Sequence, residues 1–367
     1  MAAGSDLLVL LEKLLSLPTA PFHERFVSSF LCAELKTAGL DFSVDRCGNI
    51  VATDGGSDCA LACVAHMDHP GFEIVGASAT MAEAAWHGGV DAKYFFGARV
   101  VIYDRASGAA RARGAVAKIT KNAQGRVERM TLRVNGSVMG RVEVGDFGTW
   151  NLAPYRRQGK LIHTKGADDL VGCAAILTML KELKKRGVKK GVRAIFTRAE
   201  EQGFIGTLGM IRGGALPQST KIVSVETSKA LPGVVLGGGP VIRLGDRASM
   251  FHPRMVVFMD HVARELQKRD RSFRFQRRVM DGGTCEATPY QLAGHVAGGV
   301  AIPLHNYHNQ GRTRIGAEGV HLEDVEGAVR FLVEMATRLD DFKSATEALR
   351  RRIESGWERY GGRLKKE

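Results

Sequence analysis

Apolar side chains recur at helical spacing near the start of the chain. They predict helices over Leu7–Leu15 and Phe22–Ala38, because an apolar residue at every third or fourth position gives a helix one buried face. Short apolar runs bounded by glycine- and asparagine-containing turns then predict strands, at Phe42–Val44, Ile50–Ala52 and Leu61–Ala65. Helices that alternate with such strands are typical of an α/β domain.

The pattern changes between Ala77 and Leu161. Short β-rich runs separated by Gly and Asn turns replace the helical period there. The runs are Arg99–Tyr103, Ala115–Ile119, Met130–Val134 and Arg141–Val144. Such a stretch predicts a small β barrel or sandwich.

Helices and strands alternate again in the remainder of the chain. The predicted helices are Leu170–Lys185, His252–Lys268 and Leu322–Leu339, and the predicted strands are Val192–Arg198, Lys221–Val225 and Val296–Ala301. The chain is therefore expected to divide into residues 1–76, 77–161 and 162–367. In this division, a β-rich module is inserted into an α/β sheet domain.

Composition agrees with a globular protein. Of the 367 residues, 44% are hydrophobic and 25% are charged. The longest apolar runs stay far below the roughly 20 residues that a membrane-spanning helix needs, so we expect no membrane partner. The six cysteines form no C-x-x-C pair, and the N-terminus lacks the pattern of a secretion signal. Free thiols in the cytoplasm are therefore expected.

The chain is basic, because 52 Lys and Arg against 39 Asp and Glu give a net charge of +13. The excess is concentrated in Lys181–Arg193, Lys268–Arg278 and Arg350–Lys366, without interleaved aromatic residues or a recognisable nucleic-acid-binding module. We expect a solvated basic face and no nucleic-acid partner. A nucleic-acid or acidic-substrate site is the alternative.

Histidines and acids follow several predicted strands, where open α/β sheets place their ligand sites. His66 and Asp68 come directly after Leu61–Ala65. Strand alternation turns them to the same side, so Asp68 can accept the second ring N–H of a metal-bound His66. An ordinary loop histidine is the alternative.

Paired acids occur at two other positions. Asp168 and Asp169 precede a predicted helix, where a capping role explains one carboxylate better than two. Glu200 and Glu201 follow Val192–Arg198, and adjacent carboxylates repel each other unless a cation lies between them. Such a pair can provide one metal ligand and one general base, although surface acids are the alternative.

The last candidates are Glu226, directly after Lys221–Val225, and the histidines His305 and His308 in the segment after Val296–Ala301. Together the clusters offer imidazole and carboxylate ligands for two divalent ions. This ligand chemistry favours zinc over magnesium or calcium.

The order of these motifs resembles the tetrahedral and glutamyl aminopeptidases, a family of co-catalytic di-zinc metallopeptidases of the cytosol. The resemblance covers nearly the whole chain. It rests on the motifs Asp45-Arg46-Cys47-Gly48-Asn49, Ala65-His66-Met67-Asp68, Asp168-Asp169 with Gly172-Cys173, Glu200-Glu201-Gln202-Gly203, Gly282-Gly283-Thr284, and Ile302-Pro303 with His308. It implies a mixed-sheet, phosphorylase/hydrolase-like catalytic domain in two parts, with residues 77–161 as an inserted β-barrel domain for oligomerisation.

The resemblance also implies a role for each site residue. His66 and Glu226 would hold one metal ion, Glu201 and His308 the other, and Asp168 would bridge the two. Glu200 would be the general base and Asp68 would orient His66. The ions are expected to be Zn²⁺, with Co²⁺ as the alternative, and the chain is expected to form dimers or dodecamers.

Four positions depart from the family pattern. Glu226 stands where these aminopeptidases usually have Asp, and His69, Leu170 and Cys285 replace an acid, an arginine and an aspartate. The expected reaction is hydrolysis of the N-terminal residue from peptides, with a metal-bound water as nucleophile. A metal-dependent carboxypeptidase or an N-acyl amino acid deacylase is the rival. Such enzymes pair a substrate carboxylate with a cation. Three side chains that could provide positive charge, Arg198, His69 and His305, lie near the motifs in the sequence. A basic nucleic-acid or scaffold protein without catalysis is the rival from another class.

Overall fold

The computed structural model describes residues 2–56, 58–137 and 140–364. Within these ranges, eleven strands form one mixed sheet and six strands form a closed barrel. The predicted fold class, an α/β domain with an inserted small β barrel, is confirmed.

The regular elements are numbered in chain order. The strands are β1 (Phe42–Val44), β2 (Ile50–Thr53), β3 (Leu61–His66), β4 (Gly71–Ala77), β5 (Met81–His87), β6 (Arg99–Tyr103), β7 (Ala110–Lys121), β8 (Val127–Ser137), β9 (Phe147–Trp150), β10 (Tyr155–Gln158), β11 (Leu161–Thr164), β12 (Val192–Thr197), β13 (Lys221–Lys229), β14 (Val241–Asp246), β15 (Gln276–Met280), β16 (Val296–His305) and β17 (Glu318–His321). The helices are α1 (Ala2–Ser16), α2 (Arg25–Thr37), α3 (Leu170–Lys185), α4 (Ile205–Arg212), α5 (Pro253–Arg269), α6 (Ala287–Leu292), α7 (Leu322–Thr337) and α8 (Asp341–Leu364).

Four neighbouring strands at the centre of the sheet, β12, β3, β13 and β16, run parallel. Every residue of β3 is buried. Leu61, Cys63 and Ala65 belong to one hydrophobic cluster, whereas Ala62 and Val64 belong to another. Because apolar side chains cover both faces, the strand sequence is apolar throughout, and its first polar side chains appear where the strand ends.

Helix α3 carries the chain away from the carboxyl edge of these strands. It packs against β3, α1 and α7, and it is buried from Leu170 to Leu180 except at Thr178. Lys184 and Lys185 in its last turn interact favourably with the helix dipole. The packing holds the start of α3, and therefore Asp168 and Asp169, against the end of β3.

The barrel has an aromatic core. The rings of Trp86, Phe95 and Trp150 lie within 4.8 to 5.2 Å of one another. A Cβ at Gly148 would come within 2.2 Å of the carbonyl oxygen of Val101, so only glycine fits there. The barrel strands run from Gly71 to Trp150, and the division at residues 77 and 161 remains a prediction about folding units.

Some local predictions were wrong. Arg141–Val144 is a loop, because the Asp146 carboxylate accepts a hydrogen bond from the Glu143 N–H at 2.8 Å and turns the chain. Helix α2 starts at Arg25, since Phe22 has a φ of 71° and donates its N–H to Glu24. Helix α8 was not predicted. None of the helices in the described ranges is long and apolar enough to cross a bilayer.

Candidate metal centre

The predicted ligands meet at the carboxyl ends of the central parallel strands. His66 is the last residue of β3, and Glu200 and Glu201 form a single 3-10 turn after β12. Glu226 lies inside β13, which is longer than predicted. All four side chains are almost fully buried.

Asp168 lies between the two histidines of this centre. Its Oδ1 is 3.4 Å from Nε2 of His66, and its Oδ2 is 3.4 Å from Nε2 of His308. His308 also lies 2.9 Å from Oε1 of Glu201. One carboxylate therefore faces two imidazoles with separate oxygens, as a bridging metal ligand does.

The candidate ligand atoms form overlapping sets of three, with all atoms of a set within 4.8 Å of one another. Two sets share Asp168. These are His66, Asp168 and Glu226, and Asp168, Glu201 and His308. A further set joins His66, Glu200 and Glu201. The first two sets together contain all five predicted ligands.

Buried carboxylate oxygens without hydrogen-bond partners favour a cation in this centre. Both carboxylate oxygens of Asp168 and Oε2 of Glu226 are buried and have no hydrogen-bond partner within the described ranges. Buried carboxylates are unfavourable unless they are paired, protonated or bound to metal. Imidazole and carboxylate ligands at this spacing fit divalent zinc.

Burial changes the acid strength of several groups in the centre. Burial, reinforced by the charge of Asp168, raises the pKa of Glu226 to about 8. Burial also raises the pKa of Glu200 well above its usual value, and the charges of Glu226 and Glu201 add to the effect while His66 opposes it. A carboxyl group with a raised pKa is a better proton acceptor near neutral pH.

Asp68 contacts two parts of the centre, the ring of His66 and the turn that carries Glu200 and Glu201. Nδ1 of His66 is 3.1 Å from the Asp68 main-chain oxygen and 3.5 Å from its carboxylate. The Asp68 carboxylate itself accepts the N–H groups of Glu200 at 3.0 Å and Glu201 at 3.1 Å. It therefore holds the 3-10 turn, whereas its main chain makes the closer contact with the histidine.

Glu318 was missed by the sequence analysis. It is fully buried at the start of β17 and accepts three main-chain N–H groups, from Ala167 at 2.6 Å, Asp168 at 3.1 Å and His308 at 2.7 Å. A single carboxylate thus joins the segment that carries Asp168 to the segment that carries His308. The sequence signal was an acid between Ala317 and Gly319, shortly before the predicted helix Leu322–Leu339.

We expect Glu318→Gln to lower the free energy of unfolding by about 1–3 kcal/mol, because the amide turns an N–H₂ group towards at least one of these donors. Metal affinity should fall by about 10- to 100-fold, the range for groups that orient ligands. Urea unfolding and zinc titration measure the two effects. Glu323→Gln, at an exposed acid nearby, is the control. Equal behaviour of the two variants would contradict the role of Glu318.

The cationic groups expected near the substrate have other partners. Nδ1 of His69 lies 2.5 Å from the main-chain oxygen of Asp168, and Arg198 pairs with Glu24 at 2.7 Å. His305 is the last residue of β16, where its ring lies 5.5 Å from that of His163 and is absent from the ligand sets. The expectation that these three side chains bring positive charge to the substrate is not supported by their contacts.

Comparison with known proteins identifies a family and several similar proteins. A family model described as M42 glutamyl aminopeptidase matches residues 48–331. A protein of Acetivibrio thermocellus described as a candidate aminopeptidase is 24% identical over 342 residues, covering 90% of this chain and 98% of that protein. A TET aminopeptidase from a marine-sediment archaeon of the Thaumarchaeota has a TM-score of 0.78 at 20% identity, covering 93% of this chain and 99% of its own. The TET1 peptidase of Pyrococcus horikoshii, described as assembling into a tetrahedron or a large octahedral shell, has a TM-score of 0.74 at 21% identity, covering 90% and 99%.

Proposed function

The chain belongs to the M42 glutamyl aminopeptidase family and is a peptidase, and from this premise we propose how it removes the N-terminal residue of a peptide. Five side chains hold two divalent metal ions, and Glu200 is the general base. The proposal rests on the surroundings of the Asp168 carboxylate. Its two buried oxygens face two different histidines and lack hydrogen-bond partners among the described residues.

The ligands would divide between two ions, with Asp168 in both sets. His66 and Glu226 would hold one ion, and Glu201 and His308 would hold the other. The distances within each set and the unpaired carboxylate oxygens support this division. Zinc suits the mixture of imidazole and carboxylate ligands, with cobalt as the alternative.

Bound in this centre, the ions supply a polarised water as the nucleophile and a Lewis acid for the peptide carbonyl. The chain itself moves the proton. Oε2 of Glu200 accepts it from the attacking water and then donates it to the nitrogen of the leaving amine. The Asp68 carboxylate keeps Glu200 in position by accepting its main-chain N–H at 3.0 Å.

The buried carboxylates also favour an amino terminus over a carboxyl terminus as the group bound at the centre. A carboxypeptidase or deacylase needs a cation beside the metals for the substrate carboxylate. Arg198 and His69, the cations that the sequence offered for this role, are held instead by Glu24 and Asp168. Because the family is one of aminopeptidases, we propose aminopeptidase action in spite of Glu226.

The test is a competition between a peptide blocked at its amino end and one amidated at its carboxyl end. We expect cleavage of the amidated peptide alone, with loss of activity on chelation and about two zinc ions per chain by elemental analysis. Cleavage of the blocked peptide alone would favour the carboxypeptidase or deacylase. One ion or none in protein prepared with excess zinc would contradict the two-ion centre.

We also propose that the chain acts on peptides as a cytoplasmic homo-oligomer, a dimer or a dodecamer, with contacts through the barrel. All six cysteines are free, which suits a reducing compartment. The barrel strands that the structure describes form a closed ring, so contacts would use exposed side chains such as Phe96. Arg269 and Lys190 in the basic runs pair with acids, as expected for a solvated basic face.

A further inference from the structure

A cavity of about 560 Å³ lies beside the metal centre, between the barrel and the sheet domain. Two of its lining residues touch His308. The carbonyl oxygen of Gly89 accepts a hydrogen bond from Nδ1 of His308 at 2.6 Å, and the ring of Tyr307 stacks on that of His308 at 3.8 Å. The volume falls within the range of ligand pockets, about 300–1,000 Å³. A substrate that reaches the centre can therefore extend into this cavity.

The cavity is lined by more cations than acids. Its cationic residues are Lys93, Arg126, Lys229 and Arg247, and Asp91 is its single acid. Asp91 lies 4.0 Å from Lys93. Within the described ranges, the other three cations have no ion-pair partner. A concave surface with unpaired cations attracts anions.

The charge therefore reverses along the cleft. Carboxylates surround the metal centre, where the amino terminus of a peptide is expected, and cations line the cavity beyond it. A second, much smaller recess of about 10 Å³ lies against Glu226. If the first residue of the peptide occupies the centre, the large cavity is left for the part of the peptide beyond the bond that is cut.

We propose that this cationic cavity binds a carboxylate on the leaving-group side of the peptide. The proposal rests on the aminopeptidase function proposed above and names the substrate class, which is short peptides that carry a carboxylate beyond the first residue. That carboxylate is either the C-terminus of a di- or tripeptide or an acidic side chain at the second position. Arg126 and Lys229, one from each side of the cavity, are the residues that recognise it.

The experiment compares matched peptides that differ by one charge. Ala-Ala-Ala against its C-terminal amide tests the terminal carboxylate, and Ala-Glu-Ala-amide against Ala-Gln-Ala-amide tests a side chain at the second position. Glu-Ala-Ala-amide against Gln-Ala-Ala-amide tests the first residue. Each pair is measured with the zinc-loaded chain and with the double variant Arg126→Gln/Lys229→Gln. Both residues are exposed, so the substitutions are expected to leave the fold intact.

We expect at least one leaving-group pair to show a preference for the charged peptide of about tenfold or more in kcat/KM, on the scale of one charge-assisted hydrogen bond. The double variant should remove that preference through KM, with kcat and the rates on uncharged peptides nearly unchanged. Added salt should weaken the preference in the unchanged chain. Arg129→Gln, at an exposed barrel arginine outside the cavity, should retain it.

Three results would overturn the proposal. The first is equal rates for the charged and uncharged peptide in both leaving-group pairs. The second is a preference for the charged peptide that remains in the double variant. The third is a double variant that changes the rates only in the pair that differs at the first residue. In each case the amidated peptides are still cleaved, so the aminopeptidase function stands. Failure to cleave any peptide with a free amino terminus would instead contradict the function on which the proposal rests.

Discussion

Replacement of Glu200 by glutamine should lower turnover by about 10²- to 10⁴-fold, the range for loss of a general base. Glutamine keeps the shape of the side chain but cannot accept the proton of the attacking water. The main-chain N–H of residue 200 still donates to Asp68, so the turn that carries it should be retained. Metal content should therefore stay close to that of the unchanged chain. Steady-state kinetics on an amidated peptide and elemental analysis of the same sample measure the two quantities.

Glu201→Gln is the matched control, because it removes a carboxylate from the next residue of the same turn. Glu201 lies 2.9 Å from His308 and belongs to the set of ligand atoms around that histidine. This variant should lose metal, and its activity should partly return with excess zinc, whereas added zinc should not rescue Glu200→Gln. Full turnover of Glu200→Gln on the best substrate would show that another group is the base.

The positions of the candidate ligands could largely be predicted from the sequence. Parallel strands end at the same edge of a sheet, so acids and histidines after apolar runs could be expected to meet there. His66 at the end of β3 and Glu200 after β12 are examples, since Thr197 and His66 are partners in register. The pattern also indicated the barrel, because the alternation of strand and turn has no helical period.

The groups that hold the ligands in place could not be found in the same way. Glu318 lies 150 residues from Asp168, and nothing local indicates which N–H groups its carboxylate accepts. Asp68 was expected to orient the His66 ring, and its carboxylate lies 3.5 Å from that ring, but the sequence did not show that it also accepts the N–H groups of Glu200 and Glu201. Such contacts depend on how segments that are distant in the sequence pack together. The periodicity of apolar residues predicts strands and helices, but it does not predict this packing.

Errors in element length also changed the interpretation of single residues. The sequence placed His305 in a loop, but β16 extends to that residue, and its ring lies 5.5 Å from that of His163. The sequence placed Glu226 after β13. The residue lies within this strand instead, and its neighbours Val225, Thr227 and Ser228 are buried in the sheet as well. Strand ends that depend on tertiary packing are the least certain part of a sequence prediction.

Asp168→Asn should disturb both metal ions, because Asp168 belongs to both ligand sets. Asparagine offers one neutral oxygen in place of two charged ones, and its N–H₂ group would face a histidine nitrogen 3.4 Å away. We expect zinc affinity at both positions to fall by more than about 100-fold, beyond the range for groups that only orient ligands. Activity should fall to background. Zinc titration of the metal-free variant measures both binding steps.

His308→Ala separates a bridging ligand from a ligand of one ion. His308 belongs to the set with Asp168 and Glu201, whereas His66 and Glu226 form the other set with Asp168. The His308 variant should therefore retain about one zinc per chain while Asp168→Asn approaches none, because Asp168 belongs to both candidate sets and His308 to one of them. If Asp168→Asn kept one tightly bound ion, as the His308 variant should, Asp168 would be a ligand of a single ion. That result would contradict the proposal that Asp168 bridges the two ions.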